Sequence, residues 1–144
     1  MSRRMLMALV ALIGVFLSLY LTMFKLGYIG TLACGSGSCE TVQLSKWGDF
    51  LGVPVAAWGV GYYAIVLGLA FAGVQVRYES SARLTNWLVY VTGAGLLFSL
   101  WLTYLELFVI HALCRWCLGS AAMTLVLFLL ALWDRRAERR AMLA

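Results

Sequence analysis

The chain is predicted to be an all-α integral membrane protein, a four-transmembrane-helix bundle with a long extracytoplasmic loop between helices 1 and 2. Three observations predict this. Of its 144 residues 64% are hydrophobic and only 12% charged, with a mean hydropathy of +0.93, whereas soluble domains carry about 25% charged residues. The uncharged residues gather into four runs, Met5–Phe24, Leu51–Val76, Leu84–Leu105 and Trp116–Trp133. Each is close to the roughly 20 residues a helix needs to cross the hydrocarbon core, and in lipid such runs must be helical because every backbone polar group has to be bonded internally. The third observation is a lopsided charge distribution. Arg3, Arg4, Arg77, Arg83, Arg135, Arg136, Arg139 and Arg140, eight of eleven basic residues, fall on one side of a four-span topology.

The positive-inside rule places that side, and with it both termini, in the cytoplasm. The net charge of +5 is then a topology signal and a contact for anionic lipid; it does not point to nucleic acid. The first span covers about residues 5–24. It is longer than the apolar core of a cleaved signal and is read as retained. Cys34 does not sit in a lipoprotein motif, because Leu32 is one place too close to it. The loop 25–53 follows, and its length for a helical bundle suggests a functional segment. Gly35-Ser36-Gly37-Ser38 makes its first part pliable, and Trp47, Phe50 and Leu51 are positioned to press it back on the membrane. Helix 2, about 54–76, opens at Pro54, tolerated there because its missing N–H would have no acceptor. Gly59, Gly61 and Gly68 are expected to admit a neighbouring helix closely. Helix 3 covers about 84–110 and helix 4 about 114–133, joined by a tight turn at His111–Leu113. Trp47, Trp58, Trp101, Tyr104 and Trp116 are assigned to the outer interface, and Trp87, Tyr90 and Trp133 to the inner one.

Four cysteines carry the chemistry. Cys34 and Cys39 lie in the first loop, Cys114 and Cys117 form a C-x-x-C at the start of helix 4, and all four fall on the non-cytoplasmic side of this topology. Cys114 sits near the positive end of the helix dipole and beside Arg115; both favour thiolate, the form that attacks disulfides. Cys117, one turn deeper, is placed to meet a molecule dissolved in the bilayer. The Cys34–Cys39 ring would be too small to restrain the unfolded chain as strongly as a long loop does, which suits an exchangeable bond better than a staple. The reading is a relay of thiol–disulfide exchanges that ends on a lipid-soluble two-electron acceptor, for which a quinone is suited. Two other readings compete: a metal-binding or carrier membrane protein using the four thiols as ligands, and a scaffold with inert disulfides. Ser45 either donates a hydrogen bond to the acceptor or caps a local turn. Glu106, near the outer end of helix 3, is either functional, as ionisable residues at membrane depth tend to be, or simply reaches water. His111 is either a proton shuttle or a solvent-exposed turn residue. Met5, Met7, Met23 and Met123 read as lipid-facing or packing residues.

These features together resemble the vitamin K epoxide reductase family, in particular its bacterial homologues. The resemblance covers nearly the whole chain. It rests on four spans, a first-loop cysteine pair, Ser45 six residues after Cys39, Trp47-Gly48, Leu51-Gly52-Val53-Pro54 at the opening of helix 2, and the C-x-x-C opening helix 4. It implies a bundle around a quinone, menaquinone or ubiquinone, in a bacterial inner membrane with the cysteines on the periplasmic side. Cys34 would exchange with the partner, Cys39 would pass electrons to Cys114, Cys117 would reduce the quinone, and Ser45 would bond its carbonyl oxygen. The partner implied is a separate thioredoxin-fold periplasmic protein of the DsbA type, since no such domain follows helix 4 here. Animal members carry a tyrosine four residues after the C-x-x-C, where this chain has Ala121; the resemblance therefore carries quinone reduction over but not epoxide reduction. The DsbB family has its C-x-x-C in the first loop, and this chain falls outside it.

Overall fold

The computed structural model describes residues 3–28, 49–75, 82–110 and 115–143. Four long helices dominate: α1 (Arg3–Lys25), α2 (Val55–Val74), α3 (Ala82–Leu105) and α4 (Arg115–Leu143). Each is long and apolar enough to cross a membrane. Large apolar side chains such as Ile13, Phe16, Ile65, Phe71, Leu97 and Leu129 stand on the outside of the bundle. So apolar an outer surface needs lipid as its solvent. The helices run alternately up and down, with α1 packed chiefly on α2 and α3 on α4.

The helix ends follow from local chemistry. Pro54 occupies the N-cap of α2 with φ −54° and ψ 137°, an extended conformation that its ring allows and that sets the direction in which the chain enters the helix. At the other end Gln75 turns extended, its N–H bonded to Ala72 O. The last turn of α3 widens into a π-helical segment, Glu106–Ile110. Hydroxyls inside the spans bond back along their own helices: Thr22 to Ser18 O, Thr92 to Leu88 O, Thr103 to Ser99 O and Thr124 to Ser120 O. This satisfies polar atoms where no water is available.

A short hairpin precedes α2. Strands β1 (Asp49–Phe50) and β2 (Val53–Pro54) pair antiparallel, with Phe50 opposite Val53. Leu51 and Gly52 form the two-residue turn with φ 56° and 80°, the positive values that a type I′ turn requires at both central positions. Gly52 adopts this without cost, whereas Leu51 does not, and its side chain is 79% exposed. The hairpin is tied down by an ion pair from Lys25 to Asp49 at 3.6 Å and by Trp58, whose Nε1 donates to Phe50 O at 3.0 Å. Phe50 packs edge-on to Trp58, Phe98 and Trp101, while 38% of its surface stays exposed. Trp47 lies outside the described residues.

The packed core sits toward one end. Met7 and Ala11 of α1, Val66 and Ala70 of α2, Leu88 and Val89 of α3, and Leu127, Leu130 and Ala131 of α4 form its centre, with Tyr63 at its upper edge. Small residues set the helix spacing. A Cβ on Gly14 would overlap the Tyr63 ring, and one on Gly59 would meet Ser18 Oγ at 2.9 Å. Gly61 and Gly68, by contrast, have open space where a side chain would stand. The expected close approach therefore belongs to Gly59 alone of the three, with Gly14, Gly73 and Gly95 as further contacts.

Below that core the bundle is closed by Arg4, only 6% exposed. Its guanidinium reaches all three other helices. It donates to Asp134 Oδ2, Gly73 O and Thr85 Oγ1, each at 2.9 Å, and to Glu138 Oε1 at 2.5 Å. Asp134 and Glu138 are four residues apart and so share one face of α4. That helix runs ten residues beyond the span expected to end at Trp133. Arg4, counted in the sequence only as a topology signal, is also the polar centre of this end. Arg136, Arg139 and Arg140 remain exposed, and Arg3 lies over the Trp133 ring at 5.2 Å.

Candidate active site

At the opposite end from Arg4 the helices part around a cavity of about 710 Å³. This falls within the roughly 300–1,000 Å³ typical of small-molecule sites. Leu21 of α1, Phe50 and Val53 of the hairpin, Ala56 and Trp58 of α2, and Phe98 and Leu102 of α3 supply apolar wall. The hairpin matters here because it brings Phe50 to the cavity while its turn stays outside.

Cys117 lines the cavity from α4. It is the third residue of that helix, within the first turn, where backbone N–H groups have no intrahelical acceptor and carry the positive end of the helix dipole. The thiol is half-buried. Beside it Tyr20 of α1 meets Trp116 edge-on, with ring centroids 5.8 Å apart, so the start of α4 is held against α1. Cys34, Cys39, Ser45 and Cys114, and His111 with them, lie outside the described residues. The structure therefore brings one of the five residues predicted for the site to the cavity and does not describe the other four.

Below Cys117 on the same helix, Ser120, Ala121 and Thr124 continue the wall. Tyr63 Oη donates to Ser120 O at 3.0 Å and lies 2.7 Å from Ser120 Oγ and 3.3 Å from Thr124 Oγ1. This phenol fastens α2 to α4 and forms the cavity floor. Tyr62, its neighbour in sequence, also lines the cavity. Its hydroxyl is buried, on the side of Thr124, and its ring lies so close over Gly95 of α3 that a Cβ there would overlap it. Ala121, where the animal relatives have tyrosine, leaves room in the wall, and Tyr62 presents a phenol from the facing side of the bundle.

Glu106 is a further member. It is 3% exposed and lines the cavity at the start of the π-helical turn. Sequence reading flagged Glu106 but passed over Tyr62, Tyr63, Phe98 and Ser120. The available signal was the spacing of Cys117, Ser120, Ala121 and Thr124, which places them on one face of α4. Tyr62 and Tyr63 gave none, since adjacent positions in an apolar helix do not announce which one faces inward.

Cys117 at an apolar cavity among four helices long enough to span a membrane is the arrangement of a membrane thiol protein. The family model of the vitamin K epoxide reductase family matches residues 5–132. The chain belongs to that family, which makes it a membrane thiol–disulfide oxidoreductase.

Proposed function

We propose that the protein is a quinone-dependent thiol–disulfide oxidoreductase that reoxidises a separate periplasmic thioredoxin-fold partner of the DsbA type. The observation that carries this reading is the position of Cys117 at the wall of a mostly apolar cavity within the bundle. A quinone ring fits what is present. The cavity has the size for it, its wall is mostly apolar, and Tyr62 places a phenol hydroxyl in that wall as a hydrogen-bonding group. As electron acceptor the quinone is a substrate here, taking up two electrons and two protons.

In this reading the exchanges follow the order that the family resemblance implies. The partner's dithiol attacks the Cys34–Cys39 disulfide through a mixed disulfide; the partner leaves oxidised, and the loop pair is reduced. Cys39 then attacks the Cys114–Cys117 disulfide at Cys114, which frees the Cys117 thiol and leaves a Cys39–Cys114 mixed disulfide; Cys34 attacks this bond at Cys39, releasing the Cys114 thiol and closing Cys34–Cys39 again. Finally Cys114 and Cys117 rejoin as a disulfide while their two electrons and two protons pass to the quinone. In this scheme the wall residues Phe50, Trp58 and Phe98 would hold the ring and keep water from it, and Ser45 and Tyr62 would orient its oxygens. Both termini would lie in the cytoplasm of a bacterium, the protein in the inner membrane, and the cysteines on the periplasmic side.

The test uses purified protein in lipid nanodiscs, a reduced thioredoxin-fold partner and a short-chain quinone, with quinone absorbance as readout. Loss of quinone absorbance that needs both the partner and Cys117 is the expected result. Folded protein that turns over no quinone, and that carries stoichiometric metal on its thiols, would replace this reading with the metal-binding one.

A further inference from the structure

Glu106 is a carboxyl group in an apolar wall, and nothing in the exchange scheme uses it. It is 3% exposed, although it stands near the end of a helix where a longer reach would bring it to water. An ionisable residue at membrane depth is functional more often than not. The backbone here departs from the α-helix. Glu106 is the first residue of the π-helical segment Glu106–Ile110, a rare local form that recurs at functional sites because it re-aims side chains. The cavity this residue lines is the one that Cys117 lines from α4. The other titratable groups on that wall are Tyr62 and Tyr63 of α2, and the Tyr63 hydroxyl is engaged with Ser120.

We propose that Glu106 is the proton-transfer residue of the cavity. This inference rests on the quinone reading above. When Cys114 and Cys117 close their disulfide, two S–H bonds break, one S–S bond forms, and two electrons leave. The two quinone oxygens gain those electrons and become two hydroxyls. Protons must therefore move from sulfur to oxygen, and an apolar wall holds few of the hydrogen-bonded waters that could carry them. A protonated carboxyl donates through its O–H, and once ionised it accepts. Glu106 gives its proton to a quinone oxygen as charge arrives there and recovers one from the thiol pair. The carboxyl ends each cycle as it began, so the two-electron, two-proton balance is unchanged.

The experiment compares wild type, Glu106→Gln and Glu106→Asp as full-length protein in nanodiscs with a reduced thioredoxin-fold partner and a short-chain quinone. Glu106→Gln is expected to bind the quinone as wild type does, read by quenching of tryptophan fluorescence. Its turnover should fall about 100-fold, the usual scale for a lost proton-transfer group, with a larger solvent deuterium isotope effect. Glu106→Asp should recover part of the rate. Independently of turnover, the infrared difference spectrum between the oxidised and reduced wild-type protein should contain a carboxyl band that moves in Glu106→Asp and is missing in Glu106→Gln. Turnover of Glu106→Gln at the wild-type rate with an unchanged isotope effect would overturn the proposal. So would a wild-type spectrum with no carboxyl band, which decides the matter even where Glu106→Gln fails to fold. Wild type that reduces no quinone at all would instead overturn the quinone reading and this inference with it.

Discussion

The two ends of the bundle solve opposite problems. At the Arg4 end one guanidinium gathers Asp134, Glu138, Thr85 and the Gly73 carbonyl, so that all four helices converge on a single charge. Immediately above, Met7, Val66, Leu88 and Leu127 are fully buried. At the Cys117 end the helices enclose a cavity of about 710 Å³, with Phe50 and Val53 of the hairpin in its wall. The difference teaches where the stability of a hollow membrane protein resides. Lipid supplies no hydrophobic force between helices, so association depends on packing and interhelical polar bonds. Concentrating both at one end leaves the other end free to hold a ligand and a reactive thiol.

This division can be broken from either side. The largest effect is expected at the cavity: Cys117→Ser should reduce quinone turnover to background while leaving the thermal melting of the detergent-solubilised protein where it was. Arg4→Met should do the reverse. It leaves Asp134 to Arg3 at 3.5 Å and takes the guanidinium from the part-buried Glu138; removing one partner of a buried pair costs about 3–5 kcal/mol, yet activity per folded molecule should be retained. Adding Asp134→Leu to Arg4→Met should return part of the lost stability, read as a coupling in a double-mutant cycle. A melting temperature unmoved by Arg4→Met would mean that the charged cluster is not what holds this end together.

A subtler probe sits at the join between the two regions. Gly95→Ala places a methyl group into the Tyr62 ring, and overpacking of this kind costs about 1–3 kcal/mol. The weaker-bound quinone expected from the displaced Tyr62 can be followed by fluorescence titration, and Tyr62→Ala in the same chain should relieve the strain without restoring affinity. The smallest effect is at the hairpin. Leu51→Gly removes the side chain from a left-handed position, φ 56°, which costs a non-glycine residue about 1–2 kcal/mol. It should raise the melting temperature slightly and leave the Arg4 end untouched; a lowered melting temperature would show that exposed Leu51 is held by lipid.

Some of this was legible one residue type at a time. The four spans follow from hydropathy and length alone, and the two cysteine pairs from their spacing. Met7 as a packing residue was within reach of the same reading. The assignment of Gly61 and Gly68 to helix contacts was not, because a glycine in an apolar helix looks the same whether a neighbour fills the space above it or a cavity does. The partners of Arg4 were hidden for a related reason. Charge near the start of a span is what the positive-inside rule counts, and the acids that take it inward lie about 130 residues away, with Arg4 and Asp134 separated by 130 positions.

By itself, then, the amino-acid sequence determined that this protein lives in a membrane, how many times it crosses, and that its chemistry belongs to paired thiols. These are properties of local composition, which the bilayer reads segment by segment. Only the tertiary structure decided that Cys117, Tyr62 and Glu106 share one cavity, that Phe50 lines it, and that Arg4 closes the far end. Those facts depend on the rotation of each helix about its axis. That rotation is chosen by contacts between distant segments, and no single apolar run encodes it.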